Sequence, residues 1–258
     1  MNPWTTHAQH LDKTVVMALD ALLKAVKARP DMSPSEFQAV CADITQRFGS
    51  VAVSSALWAL EAGRLEAGQD NLPALVPAAA VIIPQVTSSA SWALNQSEGN
   101  IVVAARAMAG PLGRLIRQPA RETVWSSTAV AGTRLVRVPG PNACPFCLML
   151  ASRGAVYTRA TVLNTTGSRA GPSAQARTRN PSAQGGHTYS AGRRREAQRY
   201  HDHCSCTARE SFTDNDLPPI IKTLQAEWDE VTYGDRGEMV ADPKAAWAKH
   251  WQEKRATG

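Results

Sequence analysis

The sequence predicts a mostly α protein with three parts: a helical domain over residues 1–130, a small α+β module over residues 131–213 and a helical tail over residues 214–258. Three observations support this. The first 130 residues carry apolar stripes at helical spacing. From Thr133 the pattern turns to strand-like alternation. Four of the five cysteines then form two tight pairs, CPFC and CSC, on either side of a long basic loop, residues 159–199. A chain of 258 residues can build one large core or two small ones. Apolar content of 43% excludes a wholly disordered chain, and 17 Gly with 16 Pro exclude a collagen-like one.

Leu11, Val15, Leu19, Leu22 and Val26 form one apolar stripe that ends before Pro30. Ser33-Pro34-Ser35-Glu36 is a capping box with proline at the first helical position, so a second helix starts there. Phe37, Val40, Ile44 and Phe48 continue it, and Gly49 is expected to end or kink it. Val53, Leu57, Leu60 and Leu65 suggest a further helix before Gly68. Asn71 to Ser97 carries no charge, but Pro73, Pro77 and Pro84 interrupt it, which favours a buried helix or helix pair over a membrane span. Ile101 to Ile116 reads as helix with a break at Gly110-Pro111, and Arg121 to Val130 as another.

Thr133 to Val138 is a strand, Pro139-Gly140-Pro141 a turn, and Leu148 to Ser152 a short helix after CPFC. Ala155 to Thr158 is a candidate second strand. Order returns at Tyr200 and runs to Phe212. In the tail, Pro218 to Val231 places Ile221, Leu224, Trp228 and Val231 on one helical face. Asp242-Pro243 opens a last helix with Trp247 and Trp251 four apart, a packing face.

The net charge of +6 conceals an uneven distribution. The loop holds Arg159, Arg169, Arg177, Arg179, Arg193, Arg194, Arg195 and Arg199, no lysine and one acid, Glu196, for +7; the other residues sum to −1. Arginine among Ser, Gly and Gln suits flexible contact with nucleic-acid phosphates, against the alternative of a solvated loop. The N-terminus lacks the apolar stretch of a secretory signal, so synthesis in a reducing cytoplasm is expected. There, paired cysteines point to metal or redox chemistry before structural disulfides.

The preferred metal set is Cys144, Cys147, Cys204 and Cys206, with zinc as the ion. His201 or His203 can replace one thiolate, because a Cys-x-Cys pair does not always chelate. Such a clip closes 56 intervening residues, whose length-dependent closure cost is roughly 3–4 kcal/mol. Two other readings stay open: a glutaredoxin-like CPFC, which lacks its βαβ frame here, and disulfides between the pairs. Cys41 lies among apolar helix positions and reads as a core residue. No GxSxG, HExxH, Walker A or GxGxxG motif is present, and His7, His10, His187 and His250 have no evident partners.

The order of a helical half, a strand, PG-x-x-x-CPFC-x-x-L-A-S-R-G-x-V-Y, a variable loop and YHDHCSC resembles the MuF-like minor head proteins of tailed bacteriophages. It is most similar to an actinobacteriophage group whose genes lie between portal and scaffold. The specific match spans about residues 133–212. Cys144, Cys147, His201, Cys204 and Cys206 match the family pattern of CxxC followed by H-P-x-C-x-C, with Asp202 in place of the proline. The resemblance implies a virion protein inside the phage head, made in the host cytoplasm, with no membrane partner. It implies contact with the portal protein, with the major capsid or scaffold protein and with phage DNA, and a role in head assembly and in packaging or delivering the genome. Proteins of this group are often labelled capsid maturation proteases, but no catalytic motif in these residues supports that label. The rival functions are such a protease and a free nucleic-acid-binding zinc protein.

Overall fold

A computed structural model describes residues 2–157, 204–213, 216–233 and 237–257. It is mostly helical with one two-stranded sheet. The elements are α1 (Pro3–Ala28), α2 (Pro34–Glu66), α3 (Ile83–Gln96), α4 (Ile101–Ala107), α5 (Ala109–Ala131), β1 (Arg134–Val138), α6 (Pro145–Ala151), β2 (Thr207–Ser211), α7 (Pro219–Thr232) and α8 (Pro243–Thr257).

The helix starts follow local chemistry. Asn2 caps α1 by accepting from the amides of Trp4 and Thr5. The Ser33–Glu36 capping box closes reciprocally: the Ser33 amide donates to Glu36 at 2.7 Å, and the Glu36 amide donates to Ser33 Oγ at 3.3 Å. The helix it opens does not stop at Gly49, however. α2 runs unbroken for 33 residues and absorbs the expected third helix. Gly49 serves a contact instead, since a Cβ there would lie 2.1 Å from the Ala80 carbonyl oxygen. Glycine lets the 71–82 segment pass directly over α2.

That uncharged segment is only half helical. Residues 71–82 form a strap without regular secondary structure, and α3 begins at Ile83. The strap's amides find partners on α5: Val76 N–H donates to Ser127 Oγ at 2.9 Å, and Ala78 N–H to Thr123 Oγ1 at 3.0 Å. The spacing explains the match, because four helical residues rise about 6 Å, close to the span of two residues of extended chain. Hydroxyls four apart on a helix can therefore satisfy amides two apart on a strap. Among the described residues, no helix is long and apolar enough to cross a membrane.

α5 also departs from the local signals. The break comes at Met108, between α4 and α5, and Pro111 sits in the first turn of α5, where a missing N–H costs nothing. The helix then continues through Pro119 to Ala131. An interior proline costs about 3 kcal/mol in an isolated helix. Here α1, α2, α3, α4 and both strands pack against α5, and most of it is buried. Burial outweighs the propensity.

β1 and β2 pair antiparallel, with Val136 opposite Arg209. The candidate strand after α6 contributes only a single bridge, Tyr157 to Leu135. The pairing partner of β1 is thus Thr207–Ser211, from the far side of the basic loop. α7 buries Ile221 and Leu224, and α8 buries Trp247 against Trp228, with ring centroids 5.3 Å apart. The buried apolar side chains form one cluster that includes helices, sheet and Cys41.

Two buried polar contacts cross this core. Arg64 of α2 grips Glu210 of β2 through Nε at 2.8 Å and Nη2 at 3.0 Å, with side chains 7% and 0% exposed. The same guanidinium donates to the Pro73 carbonyl at 2.8 Å, and Thr133 Oγ1 donates to Glu210 at 2.5 Å. His7, which the sequence left without a partner, is buried, and its Nδ1 lies 2.8 Å from Ser55 Oγ. Burial pushes the imidazole pKa down to about 4.

Glu210→Gln leaves a buried guanidinium without its counter-charge and is expected to cost roughly 3–5 kcal/mol in chemical denaturation; a loss under 1 kcal/mol would contradict the role given to the pair. His7 gives a pH signature. Its folded-state pKa of about 4 lies below its ordinary 6.5, so the unfolded chain binds the proton first. The stabilisation is complete above about pH 6.5 and is lost as pH falls towards 4, by about 3 kcal/mol. Denaturation midpoints should fall less steeply over that range in His7→Gln than in the parent protein.

Candidate metal centre

The site is built at one end of the sheet, where β1 leaves at Val138 and β2 enters at Thr207. Beyond β1, Gly140 turns the chain, and the Ala143 amide closes the turn on the Gly140 carbonyl at 3.0 Å. Cys144 then caps α6: its Sγ accepts from the Cys147 amide at 3.5 Å. The helix begins inside the CPFC motif, at Pro145, three residues before the expected start at Leu148. Cys147 therefore sits in the first turn of α6, buried and aimed at the chain entering β2.

That incoming chain supplies Cys204 and Cys206, both buried. The sulfurs of Cys147, Cys204 and Cys206 lie within 4.8 Å of one another, and they form a group that could hold a metal ion. Cys147 Sγ and Cys204 Sγ are 3.7 Å apart. Metal–sulfur bonds of about 2.3 Å in a tetrahedron put sulfurs about 3.8 Å apart, whereas a disulfide needs about 2.05 Å. All five cysteines are free thiols.

The surroundings suit thiolates. The Cys206 amide hydrogen-bonds Cys204 and the Gly140 amide hydrogen-bonds Cys206, as the Cys147 amide does Cys144. Hydrogen bonds from the Cys147 and Cys206 thiols hold Cys204 far below the usual thiol range, against burial, with the Arg121 guanidinium adding to the effect. Cys147 is raised by contact with the sulfurs of Cys144, Cys204 and Cys206 and by burial. The Cys147 thiol pulls Cys206 down, but Cys204 and burial outweigh it and raise Cys206. One sulfur is thus the preferred anion, and a metal ion would displace the remaining thiol protons.

Side chains that the sequence reading did not single out fix this geometry. Arg121, on α5 and 1% exposed, donates from Nη2 to the carbonyls of Cys204 at 2.9 Å and Cys206 at 2.7 Å, and from Nε to Cys206 at 3.0 Å. The available signal was Arg117 and Arg121 four apart on one helical turn, beside the apolar Leu115, Ile116, Ala120 and Val124. Gly140 lies against the arm between the cysteines; a Cβ there would fall 1.9 Å from Ser205 Oγ and 2.9 Å from the Ser205 carbonyl carbon. From the tail, Trp247 Nε1 donates to the Pro145 carbonyl at 2.8 Å, and Arg255 donates to the Ala143 carbonyl. α8 therefore pins the residues on both sides of Cys144.

The structure brings together Cys147, Cys204 and Cys206, with Cys144 on the same knuckle. His201 and the eight loop arginines lie outside the described residues. The His7–Ser55 pair has the elements of a nucleophile and base, but Ser55 is mid-helix, where the amides are consumed by the helix's own bonds and none is left to stabilise an oxyanion.

Gly140→Ala should abolish stoichiometric metal uptake, measured by elemental analysis of purified protein, and chelator treatment of the parent should lower its melting temperature. A metal-free preparation that melts at the same temperature would remove the metal assignment.

A family model described as VG15 protein matches residues 1–231. No curated protein and no solved structure matches the chain.

Proposed function

The chain belongs to the VG15 protein family and is phage-encoded, and we propose that it is a minor head protein of the virion, placed near the portal. In this reading it contributes to head assembly and to packaging or delivery of the DNA genome. Zinc binds Cys144, Cys147, Cys204 and Cys206, and His201 is an alternate ligand or a hydrogen-bonding support for one. Arg159, Arg169, Arg177, Arg179, Arg193, Arg194, Arg195 and Arg199 contact DNA phosphates. The helical body docks the portal or a capsid or scaffold surface.

One observation carries the reading: Cys147 meets Cys204 and Cys206 across 56 intervening residues. The cluster therefore joins the chain before and after the stretch that contains the +7 segment, and the rest of the sequence is near neutral. A metal clip there closes the chain around an arginine-rich stretch whose composition suits electrostatic contact with a polyanion without sequence readout. Zinc is favoured because soft thiolates in a tetrahedron select it and because a site closed by four protein ligands is structural, with no open position for catalysis.

Mass spectrometry of purified phage particles should find the protein as a constant low-copy component that carries zinc. Its absence from particles would overturn the head assignment and favour a free nucleic-acid-binding protein. Cleavage of scaffold or capsid subunits by substoichiometric protein would instead establish the protease reading.

A further inference from the structure

We infer that Arg121 is a positioning residue for the bound metal, presetting the Cys204–Ser205–Cys206 arm before the ion arrives. This rests on the metal reading above. The argument starts from chain geometry. Two cysteines separated by one residue in an extended strand end point to the same face but stand about 6.6 Å apart along the chain, wider than the about 3.8 Å between sulfurs on one metal, so the backbone between them must curl to bring both onto one ion. The arm leads directly into β2, whose ladder begins at Thr207, so no strand hydrogen bond reaches Cys204 or Cys206.

Arg121 supplies the missing constraint. Its planar fork takes the carbonyls of Cys204 and Cys206 together, at 2.9 and 2.7 Å from one nitrogen, with a second nitrogen on Cys206 at 3.0 Å. A single donor facing two carbonyls two residues apart forces that stretch to curl around it. The side chain is 1% exposed and rises from α5, the most enclosed helix of the body, so the fork cannot follow the arm if the arm straightens. From the opposite side, the Ser205 side chain abuts Gly140, which closes the remaining freedom.

The second contribution is charge. Four thiolates around a divalent ion leave two excess negative charges, and this guanidinium is a buried cation in direct contact with the arm, already oriented. Lysine would keep the charge but not the fork, since an ammonium cannot present coplanar donors to two acceptors in fixed directions. Groups that orient metal ligands typically change affinity by 10- to 100-fold when removed.

The test compares the parent chain with Arg121→Lys and Arg121→Met, using zinc and cobalt(II) as probes. Zinc affinity is read by competition with a chromophoric chelator, and coordination geometry by the visible spectrum of the cobalt form. Arg121→Lys should bind zinc about 10- to 100-fold more weakly, with an altered cobalt spectrum and unchanged helical circular dichroism. Arg121→Met should be weaker still or, if it fails to fold, leaves the lysine variant to decide. Parent-like affinity and cobalt spectrum in Arg121→Lys would overturn the positioning role. A parent chain that takes up neither metal would overturn the metal reading itself, a separate result.

Discussion

The bidentate contact between Arg64 and Glu210 organises the molecule. It joins α2 to β2 across 146 residues of sequence, with both side chains almost wholly out of water. A buried ion pair is weak evidence of net stability, because desolvation offsets most of the attraction. Its force lies in what it forbids. Neither charge tolerates being buried alone, so β2 must arrive where Arg64 waits, and Thr133 and Pro73 add bonds that only one arrangement satisfies. With β2 set, its pairing with β1 follows, and the residues just before it fall beneath α5.

The cysteine cluster inherits this placement. Arg121 lies one helix away from Arg64 and acts on the backbone four and six residues before Glu210. The two buried arginines fix the strand and its leading arm as a unit. α8 does the same for the other knuckle, with Trp247 and Arg255 on the carbonyls around Cys144. The helical body and tail therefore act as a frame for the sulfurs of Cys147, Cys204 and Cys206 and for the knuckle that carries Cys144, and the body's extensive apolar burial gives that frame its rigidity. The helices bury most of the apolar core, and the sheet and knuckles carry the clustered cysteines.

Where local signals agreed with the surroundings, the reading from residues held. The Ser33–Glu36 box and the Asp242-Pro243 cap are closed by atoms within four residues, so no distant contact can change them. Where a residue's role depended on a remote neighbour, the local rule misled. Gly49 reads as a helix end because glycine costs helix stability, yet it is glycine so that Ala80 can pass. Residues 117–120 read as a gap between two helices, yet α5 runs through Pro119 because most of it is buried against its neighbours. The proline-spaced apolar strap reads as helix because its apolar residues are dense, and the hydroxyls of Thr123 and Ser127 and the Arg64 guanidinium satisfy its backbone along a non-helical path.

The sequence by itself determined the helical character of the first 130 residues, the pairing of the cysteines as CPFC and CSC, and the concentration of positive charge between them. These are matters of periodicity, spacing and composition, all readable within a short window. Tertiary structure decided that Cys147, Cys204 and Cys206 meet, that β1 takes its partner from beyond the loop, and that arginines from the helical body hold both. Those choices rest on contacts between residues 57 to 146 positions apart. No local pattern encodes them; they follow from which buried polar groups can find partners once the core has closed.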